Sequence, residues 1–189
     1  MAHLGEGGMQ ANTGEHAQHQ APYFGFRDLI FVAIAAVVAV LVVQLGYHTW
    51  ADGNNTEMTK AQGEELAAWL TEQGNKRAEG QDTDVSACNR SDGKWIDCQE
   101  ALIAPGGPFE KLTNVFSKDN VLFSPVCDRT QLNTHGSIMV EKGLPKPPDG
   151  ASLIYSPIAD DEPLSENLAL RISICGRGFS TIHIAEFKF

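Results

Sequence analysis

The sequence predicts an α+β protein: an N-terminal transmembrane helix continuing into an amphipathic helix, followed by a small antiparallel β-sheet domain with disulfides. Three observations predict it. Residues 29 to 43 are apolar without interruption. Residues 56 to 77 carry apolar side chains near helical spacing. Beyond residue 80 short β-rich runs alternate with Gly, Pro and Asp clusters, and all four cysteines, Cys88, Cys98, Cys127 and Cys175, fall in this part. A mean hydropathy of −0.19 conceals the contrast between the apolar run and an otherwise ordinary polar chain of 189 residues.

Residues 1 to 22 are rich in Gly, Gln, Ala and His and hold too few large apolar side chains to offset the entropy of ordering, so a disordered cytoplasmic tail is expected there. His16 and His19 have the spacing of a helical metal pair but lack a third ligand, so no metal site is expected.

The transmembrane helix with its interfacial flanks is expected over residues 23 to 50, with Leu29, Val32, Ala36, Val40 and Val43 marking the anchor. The stretch approaches the ~20 residues that cross about 30 Å of hydrocarbon. Its β-branched content does not argue for a strand, because lipid offers no partners to backbone polar groups and only a helix satisfies them internally. Tyr23, Phe24 and Phe26 before the run, and Tyr47 and Trp50 after it, have the placement of interfacial aromatics. The run starts late and lacks a small-x-small site, as an uncleaved signal-anchor does. Arg27 precedes it while Asp52 and Glu57 follow, which places the N-terminus in the cytoplasm. Cysteines confined to the other side agree, since bridges form in oxidising compartments. The expected location is a bacterial inner membrane, with the C-terminal domain periplasmic or extracellular.

Residues 51 to 80 are expected to hold a linker and an amphipathic helix. Asp52-Gly53-Asn54-Asn55 reads as a turn, and Met58, Ala61, Leu66, Trp69 and Leu70 then follow near helical spacing. Thr59 and Gln62 have capping-box spacing, Gly74 or Gly80 is the expected stop, and Trp69 is expected to anchor the helix on the sheet. Within the extracytoplasmic β-rich domain expected over residues 81 to 189, strands are predicted at 137 to 141, 151 to 158, 168 to 175 and 181 to 187. Leu168, Leu170, Ile172 and Ile174 alternate with polar or small residues, and Gly176-Arg177-Gly178 supplies a hairpin turn. The proline-rich residues 144 to 150 read as an exposed connection. Four cysteines allow three pairings; Cys88 with Cys98 around Ser91-Asp92-Gly93, and Cys127 with Cys175, are favoured.

A formal net charge of −10, with no Lys/Arg cluster larger than Lys76-Arg77, disfavours nucleic acid and attraction of the whole chain to anionic lipid headgroups. The sequence carries no nucleophile elbow, paired-histidine zinc motif, phosphate-binding loop or dinucleotide fingerprint. Asp160-Asp161-Glu162 lacks the spacing of a calcium loop. His135 and His183 have no neighbouring acid or nucleophile in sequence. No catalytic residue, cofactor or metal is therefore expected.

The order of parts, with Gly25-Phe26 just before the apolar run, resembles type IV pilins and pseudopilins. The resemblance implies a prepilin-peptidase cut at that junction, which would make Phe26 the mature N-terminus. Phe24 stands where the family has Lys or Arg, and Ile30 stands at the fifth mature position where it has Glu. The expected function is a non-catalytic, single-pass structural or assembly component whose partners are the lipid bilayer and other membrane or envelope proteins, self-assembly included. An accessory subunit of a respiratory, photosynthetic or secretion complex, or a ligand-binding sensor domain, is the alternative.

Overall fold

The computed structural model describes residues 25–89, 93–147, 152–165 and 167–189. The expected tail over 1 to 22, and the Ser91-Asp92 part of the expected turn, lie outside them. The chain divides into two compact units between Gln44 and Leu45, and helix α1, Phe26–Ala78, runs without a break through 53 residues of both.

In the first unit, α1 begins at a local cap. The Gly25 carbonyl accepts from the amides of Asp28 and Leu29, and the Gly25 amide donates to Asp28 Oδ2 at 3.0 Å. That carboxylate reaches back as the third-position acid of a capping box does, where it also meets the positive end of the helix dipole. Beyond it the helix is long and apolar enough to cross a membrane, and no part of its most apolar window is buried. Leu29, Val32, Ala36, Val40 and Val43 are all exposed. Apolar surface on this scale is what a bilayer or other helices would cover.

The second unit opens with a correction. The turn and linker expected at residues 52 to 55 are helical. Gly, Asp and Asn are poor helix formers, but each costs under about 1 kcal/mol there, whereas stopping and restarting a helix requires a fresh nucleus. The next turn is also held from outside: Thr56 Oγ1 donates to the Asp52 carbonyl and accepts the Arg177 amide at 3.2 Å. Thr59 is consequently mid-helix rather than a cap. Its hydroxyl donates to the Asn55 carbonyl, and Gln62 donates to the Thr113 carbonyl.

The buried stripe of α1 is Thr56, Thr59, Gly63, Leu66, Ala67, Leu70, Gln73 and Gly74. Met58 and Ala61, expected on it, are exposed. Trp69 is half-buried, packs against the core and meets its Phe109 edge-on, while the fully buried tryptophan is Trp95. Small residues on the stripe permit close approach. A Cβ on Gly63 would lie 3.2 Å from Ile174 and 3.3 Å from Ile184. Gly74 does not end the helix. The end is a Schellman motif at Gly80, φ +72°, in which the amides of Gly80 and Gln81 donate to the carbonyls of Arg77 and Lys76.

A second helix, α2 (Trp95–Ile103), was not anticipated, and it leaves the β structure concentrated after residue 137. Strands β1 (Ile138–Pro145), β2 (Leu153–Pro157), β3 (Ala169–Gly176) and β4 (Ser180–Lys188) form an antiparallel sheet in the order β2-β1-β3-β4. Leu144 and Pro145, expected in an exposed connection, extend β1 and pair with Ile154 and Leu153. Proline is tolerated there because the strand pairs on one side only at that end. Ile138, Val140, Leu170, Ile172 and Ile174 fill the core with Leu66 and Leu70 of α1. Cys88 is joined to Cys98 and Cys127 to Cys175, the pairing that loop length favours.

Candidate functional site

Alternation along β3 puts Leu170, Ile172 and Ile174 on the face that meets α1, and Arg171 and Ser173 on the opposite one. Register then decides what those polar groups meet. Arg171 lies opposite Glu141 on β1 and Glu186 on β4, and Ser173 lies opposite His183 on β4. The result is the densest cluster of chemically capable side chains among the described residues.

Arg171 grips Glu141 through two parallel bonds of 2.9 Å, and its guanidinium lies 4.2 Å from the Tyr155 ring centroid on β2. Ser173 Oγ is 2.8 Å from Glu141 Oε2 and 2.9 Å from His183 Nδ1. Burial alone would push the Glu141 carboxyl up, but hydrogen bonds from Arg171 and Ser173, with the Arg171 charge, hold it below the usual glutamate range. Burial and then the Glu186 contact push the Tyr155 phenol up.

Serine, histidine and acid are thus together, but in the wrong order for nucleophilic catalysis. In a triad the histidine takes the serine proton and the acid orients the histidine. Here serine stands between the other two, donates its one proton to Glu141 and accepts from the protonated Nδ1 of His183. Ser173 is also fully buried. The arrangement is a cross-strand network that ties three strands together.

His135 is the second notable group. Its ring lies between Phe116 and Phe179, with centroids 3.9 and 4.7 Å away, and Nε2 is buried without a partner. Burial pushes the imidazole below its ordinary value, while Asp52 and the Gly176 backbone act the other way. Phe179, which stacks on His135, has φ +59°, a conformation uncommon for a bulky residue.

Acidification should expose both groups in stability. Each has a folded value below its unfolded one, so each stabilises the fold at higher pH and loses that contribution as pH falls. Thermal midpoints are expected to be level between about pH 7 and 9, to fall below about 6.5 as the unfolded chain protonates a histidine that the fold keeps neutral, and to fall again below about 4.3. His135→Phe should remove the first step. Glu141→Gln should lower stability by about 2–3 kcal/mol at pH 7 and diminish the second step, which Asp84 and Asp128 share. A midpoint in Glu141→Gln equal to wild type would remove the network from the account of stability.

The remaining residues singled out from sequence are not brought together. Glu162 of the acidic cluster pairs with Lys142, and among the described residues no group of three metal-ligating side chains assembles. Among the described residues, concavities of 440 and 470 Å³ mix charged residues such as Glu65, Glu110, Lys111, Arg77 and Lys188 with Phe109, Leu112 and Phe189. Gly25 caps α1 and Phe26 is its exposed first residue. What sequence reading missed is the Glu141 network: the outward placement of Arg171 and Ser173 was visible, but the partner strands and their register were not. No protein-family model, curated protein or solved structure matches this chain.

Proposed function

We propose that this protein is a non-catalytic single-pass envelope protein, a pilin-like or pseudopilin-like structural or assembly component, held by α1 in a bacterial inner membrane with its disulfide-bearing domain on the periplasmic or extracellular side. The observation that carries the reading is the unbroken course of α1, exposed and apolar at its start and seated on an antiparallel sheet by its later turns. A helix of that kind links whatever the apolar half binds to whatever the sheet domain presents. Ala33, Ala35, Ala36 and Ala39 give the apolar half a small-residue surface on which another helix can approach closely. Two disulfides support an oxidising compartment for the domain.

The test is the intact mass of the protein purified from native membranes. A pilin-type cut leaves Phe26 as the first residue, and cross-linking through a photoreactive residue at Ala36 yields adducts between copies or with another envelope protein. Full-length mass with no such adduct would end this reading. The second reading is an uncleaved accessory subunit of a larger membrane complex, and one observation favours it: the cap from the Gly25 amide to Asp28 exists only while Gly25 remains attached. Full-length mass with stable co-purification of other subunits in mild detergent is its expected result.

A further inference from the structure

We infer that the end of the sheet domain formed by the β3–β4 turn and the loop before β1 is a docking surface for phospholipid headgroups; the inference rests on the membrane anchoring proposed above. The position of this end is set within the second unit. The 3₁₀ turn Arg177–Phe179 meets α1 at Thr56, through the Arg177 amide, whereas the opposite end of β4 meets α1 at Gly74. Trp50 is exposed and six residues before Thr56, and at 1.5 Å per residue the turn lies about 9 Å beyond it along the axis. Tryptophan favours the headgroup level, and the polar layer on each side is about 5–8 Å thick. The turn is therefore one headgroup layer from the aromatic girdle, within reach of long cationic side chains.

The chemistry at this end fits that position. Arg129 donates to the Gly178 carbonyl at 3.1 Å, which brings it beside Arg177, and both are exposed. Leu132, in the same loop, is 70% exposed, the same share as the most exposed leucine of the apolar helix, Leu45 at 69%. Guanidinium groups form bidentate bonds with phosphate, and an exposed apolar side chain such as Leu132 enters the interfacial layer. Asp128 stands in the same loop, its carboxylate accepting from the Thr130 amide at 2.8 Å.

The experiment reconstitutes the full chain in phospholipid nanodiscs with p-benzoylphenylalanine at one of three positions, Leu132, Glu79 or Val37, and measures photo-adducts with lipid by mass spectrometry. Glu79 is exposed at the far end of α1 and serves as the domain control; Val37 reports anchoring alone. Adducts at Leu132 and Val37 with none at Glu79 are the expected result. Arg129→Glu with Arg177→Glu should cut the Leu132 adduct by at least about tenfold and leave that at Val37 unchanged, and the two lysine replacements should restore it. Adducts at Val37 but not Leu132 would overturn the docking surface and leave the anchor standing; equal yields at Leu132 and Glu79 would overturn it as well. Absence at Val37 would overturn the anchor on which it rests.

Discussion

Replacing Cys127 and Cys175 together by serine is expected to lower the unfolding free energy of the sheet domain by about 4 kcal/mol, against about 3 kcal/mol for Cys88 with Cys98. The difference follows from the lengths of chain that the two bridges close, 48 and 10 residues in sequence separation. Cross-linking removes loop entropy from the unfolded ensemble in proportion to the logarithm of that length. Domains are stable by about 5–15 kcal/mol, so the longer bridge accounts for a large part of the whole. Both double variants also leave buried serine hydroxyls, at Cys175 in one and at Cys88 and Cys98 in the other, so the difference between them is read against that added cost. Urea unfolding of the two double variants in detergent, followed by far-ultraviolet circular dichroism, measures both. A larger loss from the shorter bridge would show that strain or residual unfolded structure, not loop entropy, governs these bonds.

Gly74→Ala is expected to cost about 3 kcal/mol or more. Helix propensity alone predicts the opposite, since alanine is favoured over glycine in a helix interior by about 1 kcal/mol. Space decides against it. A Cβ at Gly74 would stand 2.4 Å from the Lys188 carbonyl oxygen and 2.8 Å from the Phe189 Cα. Both are backbone atoms of the final strand, and backbone cannot swing aside as a side chain does. Gly53→Ala is the matched control, in the same helix with nothing within 4 Å of the added carbon. It should raise stability by about 0.5–1 kcal/mol. If thermal unfolding ranks the two variants together, the close crossing of α1 and the C-terminal strand is wrong.

The contrast between these two glycines marks where sequence reading stops. Both sit in one helix, and no local pattern separates the one that meets a strand from the one that meets nothing. Asp52-Gly53-Asn54-Asn55 carries a genuine turn signal, yet the packing of Thr56 on Arg177 and the cost of a second nucleus outweigh it. Trp69 and Met58 have the size expected of core residues, but the stripe that meets the sheet is Leu66 and Leu70 among Thr, Gly and Ala, and at Gly63 the approach is close enough that an added carbon would press on Ile174 and Ile184. At the Glu141 network, each residue alone reads as an outward strand position, and only register brings acid, serine and histidine to within hydrogen-bonding distance of one another.

Composition and period were sufficient for properties that depend on neighbours in the chain: an apolar stretch long enough for a bilayer, the β3 alternation, the Gly-Arg-Gly hairpin, and a short cysteine loop. These follow from backbone geometry and solvent, which act on any chain segment alike. Tertiary structure alone decided that α1 is unbroken, which of its glycines are obligatory, and which polar groups meet across the strands. Those outcomes depend on atoms far apart in sequence, where the energy of a contact exists only after the fold has brought its two sides together.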